Sequence, residues 1–162
     1  MIASVLALVA TPAAAKATVA ATTRVSGADR FATANHAADQ TKVVVNESHF
    51  VLANGNSYAD GLSAAALAGA LDTDGAAMLL TDGNTLTTST LTTMARMSGT
   101  IAQGLKYVHL VGGTSAISAA IATQLAASGY VVTRISGANR YATADAVAAE
   151  VKAQNGGNIG TF

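Results

Sequence analysis

From residue 23 onward, short apolar runs alternate with longer stretches in which apolar side chains recur every three or four positions. The short runs predict strands over 23–26, 50–53, 76–81, 107–111 and 130–135. The longer stretches predict helices over 30–41, 59–71, 86–97, 118–127 and 140–154. Strict alternation of strand and helix implies an α/β fold: a parallel sheet whose helical crossovers cover both faces. Runs such as Met78-Leu79-Leu80 and Val108-His109-Leu110-Val111 suit strands that are buried from both sides.

Composition narrows this picture. The chain has 162 residues, the size of one domain or one domain plus a fragment. It is 51% hydrophobic but only 4% aromatic, so small side chains, alanine above all, must close the core. The alanine-rich stretch 64–70 predicts a helix face that approaches the sheet closely. Nine Lys and Arg balance nine Asp and Glu. No global field therefore draws the chain to nucleic acid or to an anionic membrane, and any anion site must be a local cluster. The absence of cysteine excludes disulfides and thiolate metal sites and is compatible with export.

The first fifteen residues, MIASVLALVATPAAA, carry no charge. Their apolar run is too short to span a bilayer and ends in a small-residue site, the pattern of a secretory signal cleaved after Ala15 or Ala17. The expected organisation is a signal at 1–15, a linker at 16–22, a complete unit at 23–138 and the truncated start of a second unit at 139–162.

That second unit is inferred from a repeat. Arg24-Val25-Ser26-Gly27-Ala28-Asp29-Arg30-Phe31-Ala32-Thr33-Ala34 returns 110 residues later as Arg134-Ile135-Ser136-Gly137-Ala138-Asn139-Arg140-Tyr141-Ala142-Thr143-Ala144. The only differences are Val/Ile, Asp/Asn and Phe/Tyr. The period is too long for a solenoid, so each unit is a small domain. Gly27 and Gly137 permit a sharp turn, and Asp29 and Asn139 stand where a helix N-cap is needed. Phe31, Ala34, Ala37 and Ala38 are expected to face inward, and Tyr141, Ala144, Val147, Ala148 and Val151 to do the same in the second copy.

Arg30 and Arg140 lie in a first helical turn, where the helix dipole disfavours a cation. Asp60, at the start of the next helix, is the candidate ion-pair partner of Arg30. The alternative is a guanidinium offered to an anionic polymer, whose phosphate or carboxylate fits its fork. Arg24 and Arg134, at strand positions, carry the same two readings. The turns at 53–63 and 110–118 fall at carboxyl ends of strands, the edge where open α/β sheets bind ligands. They suit a sugar or phosphate group, or serve as plain turns. Neither is a G-x-G-x-x-G loop, no Walker lysine follows, and no G-x-S-x-G elbow is present. His36, His49 and His109 show no metal-ligand spacing, and His109 reads as a satisfied core residue.

Taken in order, R-[VI]-S-G-x-[DN]-R-[FY]-x-T-A at 24–34, A-x-G-x-x-x-A-D-x-L-S-A at 53–64, L-L-T at 79–81, V-G-G-x-x-A-I-S at 111–118 and the first motif again at 134–144 resemble the cell wall-binding repeat 2 family of Gram-positive bacteria. The resemblance implies a Rossmann-like or flavodoxin-like domain that anchors a surface protein non-covalently to an anionic wall polymer, teichoic-acid-like or an acidic polysaccharide. It implies no catalysis and no cofactor. It also implies tandem repeats packed as a pseudo-threefold unit. This chain would then be a fragment of a longer one or would assemble as a homotrimer. Where the family shows Pro-Ile-Leu-Leu, associated with polymer binding, this chain has Ala77-Met78-Leu79-Leu80. The expected polymer-binding or assembly residues are thus Arg24, Arg30, Asp60, Arg134 and Arg140, with Met78, Leu79 and Leu80 beside them. The rival expectations are a purely structural module and a small secreted hydrolase or nucleotide-binding protein.

Overall fold

The computed structural model describes residues 22–41, 46–71, 75–102 and 104–155. The expected signal and the linker up to residue 21 lie outside these, as does the second unit beyond residue 155. The elements run α1 (Arg30–Thr41), β1 (His49–Asn54), α2 (Tyr58–Ala70), β2 (Ala77–Thr81), α3 (Thr88–Ser98), β3 (Tyr107–Val111), α4 (Ala119–Ala127), β4 (Val131–Ile135) and α5 (Arg140–Gln154). The four strands are all parallel, in the order β2-β1-β3-β4. This is the doubly wound arrangement that strict alternation predicts, and the strand order reverses between β1 and β3.

Each strand divides its side chains between two layers. Phe50, Leu52, Ala77, Leu79, Val108 and Leu110 form one core with Ala38 of α1, Met94 and Met97 of α3, and Ile121 and Leu125 of α4. Val51, Ala53, Val111 and Ile135 form the other with Ala64, Leu67 and Ala68 of α2 and Val147 of α5. The alanines let α2 sit close to the central strands, as the composition requires. At roughly 25 cal/mol per Å² of apolar surface, layers buried on both sides supply most of the driving force.

One expected strand is absent. Residues 22–27 pair with nothing in the sheet, although 24–34 nearly repeats the sequence of 134–144. A strand requires a neighbour for its ladder. Residues of β4 find β3, with Val131 opposite Tyr107 and Ile135 opposite Val111. Residues 22–27 have no such neighbour in the described chain.

The two copies of the repeated helix also bury different faces. In α1 the buried positions are Asn35 and Ala38, with Phe31 half-buried. In α5 they are Thr143 and Val147, while Tyr141 is 77% exposed. The expected common inward face is therefore wrong: α1 packs against β2 and α3, and α5 against α2.

Candidate cell wall-binding edge

The repeated motif folds in the same way twice. The Gly27 amide donates to Thr33 Oγ1 at 3.0 Å, and the Gly137 amide to Thr143 Oγ1 at 3.1 Å. Asp29 Oδ1 accepts the Ala32 amide at 2.7 Å; Asn139 Oδ1 accepts those of Tyr141 and Ala142 at 3.0 Å. Both residues cap their helix, as the Asp/Asn exchange suggested. A Cβ on Gly27 or Gly137 would lie 2.5 or 2.4 Å from the carbonyl carbon of Ala32 or Ala142. The glycine is there because helix backbone passes too close for any side chain.

The cap places Arg30 at the carboxyl end of the sheet. Its Nη1 donates to the Gly55 carbonyl at 2.8 Å and to Asn56 Oδ1 at 3.3 Å. Those acceptors replace the expected Asp60 partner and answer the unfavourable dipole at the helix start. Gly55 leaves open the space that Phe31 fills, since a Cβ there would lie 2.9 Å from Phe31 Cε1. Asn54 Nδ2 ties this loop to the Ala116 carbonyl at 2.7 Å, and Asn56 Nδ2 ties it to the Asp82 carbonyl at 3.2 Å. Arg30 itself stays exposed, so the rest of its fork faces solvent.

Asp60 sits across the edge, its Oδ2 close over Gly112. With Ser57, Ser115, Asn139 and Arg140 it lines a polar cleft of 220 Å³ above β1, β3 and β4. That is smaller than the roughly 300–1,000 Å³ of small-molecule sites, so the cleft is a poor nucleotide pocket. Arg140 is exposed, with no hydrogen bond or ion pair among the described residues.

The remaining expected residues separate by burial. Arg134 is half-buried, and its Nη1 and Nη2 donate to the carbonyls of Gly112 at 2.8 Å and Ser118 at 3.5 Å. Burial pushes its pKa down from the ordinary arginine value. Its contacts fix the β3–α4 loop. Arg24 is exposed beside His36, Asp39 and Gln40, away from the carboxyl edge, near where Arg96 pairs with Asp39. Leu79 is fully buried and offers no surface, while Met78 and Leu80 are half-buried on the edge strand β2.

Two of the three histidines, scattered in sequence, meet in space. The β1–β3 register sets His49 opposite Tyr107 and His109 opposite Val51, so His49, Tyr107 and His109 share a face and stack. The sixty-residue separation hides this from any spacing rule. Among the described residues, no group of three or more His, Cys, Asp or Glu could hold a metal ion, and no helix is long and apolar enough to cross a membrane.

The cell wall binding domain 2 family matches residues 24–122. The amidase "N-acetylmuramoyl-L-alanine amidase LytC" of Bacillus subtilis (strain 168) is 38% identical over 125 residues, which cover 77% of this chain and 23% of that protein. Among solved structures, Cwp6 from Clostridium difficile superposes with a TM-score of 0.69 at 28% identity, covering 80% of this chain and 19% of its own. Cwp8 from the same organism gives 0.69 at 27%, covering 78% and 21%. The chain thus spans about a fifth to a quarter of these relatives, and the motifs shared by its two copies build a folded edge in both places. It belongs to the cell wall binding domain 2 family.

Proposed function

We propose that this module anchors a secreted surface protein to the cell wall by binding an anionic wall polymer, and that it performs no chemistry itself. The observation that carries the reading is Arg30: an exposed guanidinium held in place through one nitrogen by Gly55 and Asn56. A pre-positioned fork loses little entropy on binding, and its outward donors match phosphate or carboxylate oxygens. Arg140 repeats the position at the second helix start, beside the cleft with Ser115 and Asn139. Several such weak contacts along one polymer add through avidity. Arg134 and Leu79 hold the frame; Met78 and Leu80 offer a secondary apolar contact at the β2 edge. The cleft is small, and among the described residues no hydrogen bond joins Ser57 or Ser115 to Asp60 as nucleophile to base, which supports a binding role over hydrolysis.

The rival reading makes the arginines structural only, and the carbonyl contacts of Arg134 favour it for that residue. A pull-down on isolated wall polymer separates the two. With both Arg30→Ala and Arg140→Ala, retention is expected to fall while the thermal midpoint of Arg140→Ala alone stays unchanged. Undiminished retention by a folded double variant would refute the polymer contact.

A further inference from the structure

The two copies of the motif open helices that share their first turn, Arg-[Phe/Tyr]-Ala-Thr-Ala, diverge over most later positions, and pack in two different environments. With about 100° per residue, Phe31, Asn35 and Ala38 define one face of α1. The counterparts of that face in α5 are Tyr141, Asp145 and Ala148, and all three are exposed. Thr143 and Val147, which α5 buries, correspond to Thr33 and Ala37, which lie about 200° round the helix on the opposite side. The motif helix thus has two faces that can pack: α1 buries Asn35 and Ala38 on one, and α5 buries Thr143 and Val147 on the other.

We propose that the motif helix is shared between consecutive repeats. One face packs on α2 of the preceding unit, as α5 does here. The other face closes the sheet of the following unit, as α1 does here. The occupant of the exposed face of α5 is thus a second copy of this fold, entered without a first helix of its own. Its receiving surface is the one that α1 occupies here: Gly55 with the space that Phe31 fills, the Gly55 carbonyl and Asn56 for the arginine, and Thr90 for the third position. Tyr141 replaces Phe31, and Arg140 replaces Arg30. Asp145 replaces Asn35, which accepts from the Thr90 hydroxyl within 3.5 Å, a donor that a carboxylate also takes. Ala148 replaces Ala38 with no change.

The other end of the chain supplies a second, independent observation. Residues 24–27 repeat Arg134–Gly137 with Val for Ile yet pair with no strand among the described residues, and Arg24 stays exposed where Arg134 is half-buried on two carbonyls. They carry the sequence of the end of β4 but have no β3 partner among the described residues. The inference concerns how repeats join and does not depend on what polymer the edge binds.

The test is a tandem protein in which the full chain to Val151 continues directly into Lys42 and onward of a second copy, as the 110-residue offset dictates. The chain has no cysteine, so Tyr141→Cys reports cleanly. If α5 serves the second unit, this thiol labels about tenfold or more slowly in the tandem than in the single chain, as burial requires. Tyr141→Ser should lower the unfolding midpoint of the second unit in the tandem and leave the single chain unmoved. Equal labelling rates in both proteins would overturn the proposal. So would a second unit that stays unfolded, seen as helical circular dichroism no greater than that of one unit.

Discussion

His49 and His109 stack ring on ring at 5.6 Å across β1 and β3, with Nδ1 of the first 3.3 Å from Nε2 of the second. His109 Nδ1 is buried without a hydrogen-bond partner. Burial, and then the neighbouring His49, hold the pKa of His109 below its ordinary value, while Glu150 on α5 pulls weakly the other way.

A histidine whose folded pKa is depressed binds its proton more readily in the unfolded chain. Stability then rises with pH through this window and is lost as pH falls below the unfolded value of about 6.5. Urea midpoints between pH 7.5 and 5 are expected to decline, and His109→Leu should flatten that decline by removing the group. A variant with an unchanged slope would mean that other groups set the acid response.

Asn139 and Gly137 form a second test site. Losing the cap in Asn139→Ala should cost about 1 kcal/mol, read from chemical denaturation. Gly137→Ala should be worse, because the new Cβ meets backbone at 2.4 Å and no side chain can move aside. If the two substitutions cost equally little, the turn is looser than its geometry implies.

Arg134 is expected to behave as a structural residue. Arg134→Met removes two donors from the Gly112 and Ser118 carbonyls, and charged hydrogen bonds contribute about 1.5–3 kcal/mol each at most. A loss of stability of that order, with wall retention per folded molecule unchanged, is the expected pattern. Reduced retention at full stability would return Arg134 to the binding surface.

Much of this fold was legible in the chain. The run Tyr107–Val111 and the bounds of Arg30–Thr41 and Arg140–Gln154 agree with the pattern of apolar positions, because period and capping are local properties. What failed was non-local. The segment 23–26 has a strand's sequence but no partner to pair with. The inward faces of α1 and α5 were not told apart, since their shared first turn points both ways and which face is buried depends on neighbours that a local pattern does not reveal. The acceptors of Arg30 are a backbone carbonyl and an amide oxygen, which a search for opposite charges overlooks. The motifs bring Arg30, Asp60 and Arg140 to the carboxyl end of the sheet but could not say that Leu79 lies in the core while Arg134 holds a loop.

Retention on walls should fall as ionic strength rises. Exposed charges are screened over about 8–10 Å near physiological salt and over about 3 Å at 1 M. Binding that persists in molar salt would shift the contact to the apolar Met78 and Leu80 edge.

The most direct measurement compares co-sedimentation of the purified protein with two preparations of the same Gram-positive walls, one intact and one chemically stripped of its anionic polymer. Recovery in the pellet of intact walls, lost on the stripped ones and restored by adding the polymer in immobilised form, is the predicted result. Equal recovery on both preparations would contradict an anionic polymer as the ligand.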